Sequence, residues 1–76
     1  MNFAYDKLVG ERIREERELK GMTQEELAAQ LQTKGCDVTR SALAKMEVGQ
    51  RHIYTDEIRH IKDILKVSFD VLFPRL

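Results

Sequence analysis

Two capped segments joined by one short linker constrain this chain more than any other feature. The first is Met22-Thr23-Gln24-Glu25-Glu26-Leu27-Ala28. Thr23 is a helix-capping residue, and Glu26, three positions on, can reach back to the Thr23 amide as a capping box. Met22 before the cap and Leu27 after it are spaced as a hydrophobic staple. The second segment is Thr39-Arg40-Ser41-Ala42-Leu43-Ala44-Lys45-Met46-Glu47-Val48-Gly49. Thr39 caps it, and Leu43 and Met46 face one way at helical spacing, while Arg40, Ser41, Ala44 and Lys45 project the other way. Gly49 supplies a stop, because glycine accepts the left-handed conformation that closes a helix.

A capped helix, a turn and a second short capped helix make a helix-turn-helix. The second helix exposes basic and small polar groups and no large apolar ones, a shape suited to the major groove of DNA. Thr23-Gln24-Glu25-Glu26-Leu27-Ala28, together with Thr39 to Glu47 and Gly49, resembles the phage-repressor-like (XRE type) helix-turn-helix family. The resemblance continues through Leu65-Lys66-Val67-Ser68-Phe69-Asp70-Val71-Leu72-Phe73 and spans residues 8–73. One stretch departs from the shortest form of that family. Gln32-Thr33-Lys34-Gly35-Cys36-Asp37-Val38 intervene before Thr39, which resembles a variant with a longer linker between helices 2 and 3. The spacing predicts an extra turn of helix 2 ending at Gly35, then a short loop.

The flanking residues read as helices too. Tyr5, Leu8, Val9 and Ile13 form an apolar stripe on a helix from Tyr5 to Lys20, with Gly21 beyond its end and the charge-rich remainder facing solvent. Gln50-Arg51-His52-Ile53-Tyr54 reads as a loop with Ile53 turned inward. Thr55 or Asp56 is placed to cap a fourth helix with apolar face Ile58, Ile61, Ile64 and Leu65. Ser68 is placed to cap a last short helix that Pro74 ends. The expectation is an all-α, compact five-helix bundle of the lambda-repressor-like DNA-binding domain type, one domain over residues 1–76. Its expected core is Leu8, Ile13, Leu27, Ala28, Leu31, Leu43, Met46, Ile53, Ile58, Ile61, Leu65, Leu72 and Phe73.

Other chemistry finds little support. His52 and His60 are the only histidines and Cys36 the only cysteine, so no zinc-type spacing exists and neither metal nor cofactor is expected. Glycine-rich phosphate loops, GxSxG and HExxH are absent, and no catalytic residue or enzymatic activity is expected. One cysteine suits a reducing cytoplasm, and Cys36 reads as a small, partly buried hydrophobe rather than a redox sensor. No apolar run approaches the ~18 residues that a membrane span requires. The net charge is zero, which opposes strong nonspecific attraction to phosphates. The charge is unevenly spread: residues 1–38 carry six Lys/Arg against eight Asp/Glu, and residues 39–76 carry seven against five.

The resemblance implies a sequence-specific transcriptional regulator, of repressor type, reading double-stranded DNA through helix 3. It implies base contacts from Arg40, Ser41, Ala44 and Lys45, DNA contact from the caps Thr23 and Thr39, a phosphate contact from Gln24 at the start of helix 2, and backbone contact from Arg51. It also implies an ion pair joining Arg17 of helix 1 to Glu47 of helix 3. A palindromic operator and a homodimer follow, with Phe69, Val71, Phe73 and Leu76 offered for the subunit contact. The neutral charge and the acidic first helix motivate an alternative: the same fold as a protein-interaction module, such as a toxin–antitoxin or anti-repressor component, with a protein partner.

Overall fold

In the computed structural model, which describes residues 3–75, α1 runs from Phe3 to Leu19. Its buried line is Val9, Ile13 and Arg17, positions four apart that fall on one face. Leu8 lies to the side of that line and is only half-buried, so Val9 takes the core place expected of Leu8. α2 (Gln24–Thr33) opens on the capping box: Thr23 Oγ1 accepts the Glu26 amide at 3.0 Å, and the Thr23 amide donates to Glu26 Oε1 at 2.9 Å. Those bonds hold the exposed Glu26 carboxylate below its usual range, the Thr23 backbone contributing most. The helix ends at Lys34, and Gly35 follows.

α3 (Arg40–Glu47) is capped by Thr39, whose Oγ1 accepts the Ala42 amide at 3.1 Å. It buries Leu43, Met46 and Glu47. Gly49 closes it at φ +78°, with Lys7 of α1 packed too close for any larger residue. α1 crosses α3 at Gly10, where a Cβ would fall on the carbonyl oxygen of Met46.

α4 (Thr55–Leu65) departs from expectation at its start. Neither Thr55 nor Asp56 is the cap; Tyr54 is, and its amide donates to Glu57 Oε1 at 3.0 Å. The helix ends at Lys66 in the left-handed conformation, φ 57°, where the sequence has no glycine. Before α5 (Phe69–Leu72), Ser68 occupies the cap position, but its hydroxyl makes no capping bond. Among the described residues there is no strand.

One continuous core joins Val9, Ile13, Leu27, Ala28, Leu31, Leu43, Met46, Ile53, Ile58, Ile61, Leu65 and Leu72 with Cys36 and Val38 of the α2–α3 linker. The linker therefore contributes two core residues that the expected set omits, and Met22 packs at the margin. Phe73, expected inside, is 38% exposed. α3 rests on α1 and α2, α4 packs on α2, and α5 returns to α1. Among the described residues, no helix is long and apolar enough to cross a membrane.

Candidate nucleic-acid interface

The inward side of α3 is committed to the core, so its outward side is available to a partner. Arg40, Ser41 and Lys45 are exposed and Ala44 is half-buried. Val48, at 48% exposure just past the helix, continues the same face one turn beyond Ala44 and Lys45. Arg40 also borders an open cleft whose other walls include Thr23 and Gln24 at the start of α2, and Gly21 and Met22 of the preceding turn. The face of α3 and the positive end of α2 thus meet at one edge of the molecule, the disposition that suits a base-reading helix beside a phosphate-holding helix end.

Arg17 and Glu47 come together. Arg17 Nε donates to Glu47 Oε2 at 2.8 Å and Nη2 to Oε1 at 3.0 Å, while Nη1 donates to the Met22 carbonyl at 2.7 Å. Both residues are buried, at 7% and 2% exposure. The hydrogen bond to Glu47 holds the guanidinium above its usual range. Glu47 Oε1 also accepts from Gln24 Nε2 at 3.0 Å. One carboxylate thereby ties α1, the first turn of α2 and the last turn of α3. Gln24, expected to grip phosphate, gives one of its two amide protons to Glu47.

Arg51, expected to contact the DNA backbone beyond α3, forks its guanidinium onto Glu57, Nη1 to Oε1 and Nη2 to Oε2, each at 2.9 Å. Nη1 also donates to the His52 carbonyl at 3.0 Å, and the guanidinium lies 5.9 Å from the centre of the Tyr54 ring. Burial pushes the Glu57 carboxyl up, but the bonds from Arg51 and the Tyr54 amide outweigh it and hold the group below its usual range. Next to Arg51, His52 Nδ1 meets Asp6 Oδ2 of α1 at 2.8 Å.

Sequence reasoning misses Glu57, Gln24–Glu47 and Asp6–His52. Glu57 has a signal, since it stands three after the cap residue and six after Arg51. Asp6 and His52 are 46 positions apart, and nothing local links them. Cys36 is buried, and burial chiefly raises its thiol pKa, with Glu57, Asp56 and Asp37 adding to the effect. Among the described residues, no cluster of His, Cys, Asp or Glu is arranged to hold a metal ion.

The helix-turn-helix family model matches residues 13–72. The chain belongs to the XRE-type helix-turn-helix family. Among solved structures, this XRE-type chain is similar to the restriction-modification controller protein C.AhdI from Aeromonas hydrophila, at 31% identity and TM-score 0.81, over 93% of this chain and 96% of that one. The DNA-binding domain of BldD superposes with TM-score 0.80 at 19% identity, over 97% of this chain and all of that one. The S. venezulae BldD DNA-binding domain superposes with TM-score 0.76 at 18% identity, over 93% of this chain and 99% of that one, a likeness of fold. No curated protein matches the chain in sequence.

Proposed function

We propose that this XRE-type chain is a sequence-specific DNA-binding transcriptional regulator, of repressor type, that reads the major groove with α3. The observation that carries the reading is the outward face of α3: Arg40, Ser41 and Lys45 exposed beside the start of α2. Arg40 and Lys45 donate to guanine O6 and N7, Ser41 serves either kind of base edge, and Ala44 meets a thymine methyl. Thr39 fixes where α3 begins and so which side chains enter the groove. The exposed first turn of α2, carrying Thr23 and Gln24, holds a phosphate. C.AhdI is a restriction-modification controller protein, which supports a regulatory role here, and the BldD domain shows the same fold in a DNA-binding domain.

The test is selection of bound duplexes from a random pool, followed by titration of the selected site. Arg40→Ala and Lys45→Ala each lose ~1–3 kcal/mol on that site and relax preference at one base position. Retained operator affinity in both variants would overturn the assignment of the reading face.

A protein-interaction role has one observation in its favour. Leu19 stands 77% exposed at the end of α1, beside Glu15 and Glu18, on a chain with no net charge. Absence of any duplex binding at low salt, with capture of a defined protein partner that Leu19→Ser abolishes, would favour it.

A further inference from the structure

The loop after α3 carries one arginine, and the fold supplies that arginine with its own carboxylate. Arg51 and Glu57 form a two-bond fork at 2.9 Å each, Glu57 is 7% exposed, and its Oε1 also takes the Tyr54 amide. The acid is therefore fixed by the start of α4 and does not swing away when the guanidinium is drawn elsewhere. Arg51 keeps about a quarter of its side chain open to solvent, 28%, so it is screened electrostatically without being hidden.

From this geometry, and resting on the DNA-binding reading above, we propose that Glu57 sets the sequence-independent part of the affinity for DNA. It acts through Arg51 by cancelling the charge that the α3–α4 loop would otherwise present to phosphates. Phosphate attraction is the sequence-independent part of DNA affinity, and each neutralised phosphate adds about 0.9 to the salt slope. A paired Arg51 positions the loop and contributes little to that part. Base contacts from α3 then make up a larger share of the total, while the ratio of specific to random-sequence affinity, in which a sequence-independent contribution cancels, is unchanged. In a chain of zero net charge, the pair withholds one more positive charge from phosphate.

Glu57→Gln separates this role from a purely structural one. Glutamine still accepts the Tyr54 amide through its carbonyl and keeps a polar partner for Arg51, so α4 retains its start. In Glu57→Gln, affinity for a random-sequence duplex at about 0.1 M salt is expected to rise roughly three- to tenfold, and the salt slope to steepen by about one unit. Affinity for the selected site is expected to rise by about the same factor, so the specificity ratio is unchanged. In Arg51→Gln/Glu57→Gln, where both charges are gone, the slope returns to the wild-type value.

Anisotropy titrations across a salt series, with thermal melts as a folding control, read all of these. An unchanged slope in Glu57→Gln overturns the proposal. So does a double variant with a slope about one unit flatter than wild type, because Arg51 would then be holding a phosphate despite its partner. If Glu57→Gln does not fold, Arg51→Gln beside the double variant decides: the proposal has the slope flattened by the unpaired Glu57 in the single variant and restored in the double, and any other pair of slopes overturns it. A wild-type protein that binds no duplex at all refutes the DNA-binding reading itself, whereas one that binds while Glu57→Gln behaves as wild type refutes only the role of Glu57.

Discussion

Glu47 accepts three hydrogen bonds, two from Arg17 and one from Gln24, at a position 2% exposed. A charge so placed is tolerable only while its partners are present. Arg17→Ala leaves the carboxylate with Gln24 alone, and Glu47→Ala leaves a buried guanidinium with only the Met22 carbonyl; each is expected to cost ~3–5 kcal/mol. Removing both leaves no orphaned charge. The double variant should therefore be less destabilised than the sum of the singles, by ~1–3 kcal/mol of coupling. Urea denaturation of the four proteins measures this, and strict additivity would show that the pair is not interacting in solution. A surface pair makes the opposite case: Arg14 and Glu18 lie 3.6 Å apart on α1 with more than half of each side chain exposed, and replacing either should change little.

At the scale of elements, legibility follows the range of the interactions. The starts of α2 and α3 are readable because Thr23–Glu26 and Thr39–Ala42 bond within one turn. The start of α4 is not, since Tyr54 offers no small capping side chain and Glu57 serves its amide from inside the helix. The stop at Lys66 is invisible in the absence of a glycine. The core role of Val38 is hidden because linker residues carry no helical period to mark the buried one. Among site residues, the outward side of α3 is readable from period alone. Engagement of Arg51 by Glu57 is not, because it depends on where the loop turns back onto α4.

Gly10 shows the same limit. Within α1 it reads as a weak helix former, yet it is where α1 meets the last turn of α3. Gly10→Ala gains up to about 1 kcal/mol in helix propensity. The added methyl lands on the Met46 carbonyl, so backbone must move, which typically costs ~1–3 kcal/mol. The net expectation is a melting temperature several degrees lower, since about 1 kcal/mol shifts a domain of this size by roughly 4–8 °C. A higher melting temperature would show that α1 and α3 are not so closely apposed in solution.

For the whole molecule, the open question is how one small module reads a useful length of DNA. A single recognition helix contacts few bases, and two helices placed about 34 Å apart read successive faces of the major groove. The protomer measures 32 × 20 × 19 Å, so a pair meeting end to end has the reach for that spacing. α5 offers an apolar surface for such a meeting. Phe69 and Phe73 stack 5.7 Å apart and nearly parallel, at 40% and 38% exposure, with the Lys62 ammonium 5.3 Å from the centre of the Phe69 ring. Val71 is half-buried beside them, and Leu76, named with them from sequence, lies outside the described residues. Each ring is still more than half buried within the protomer, Phe73 beside Tyr5, Val9, Ile53 and Ile58. Phe69→Ala/Phe73→Ala is therefore expected to melt at a lower temperature than wild type, and its oligomeric state is compared well below that melt. Sedimentation equilibrium should find wild type as a dimer and the double variant as a monomer. On a symmetric selected site the variant should then bind each half independently, with the affinity of a single module. A wild-type monomer that saturates one asymmetric site at one copy per duplex would show that this chain reads DNA alone.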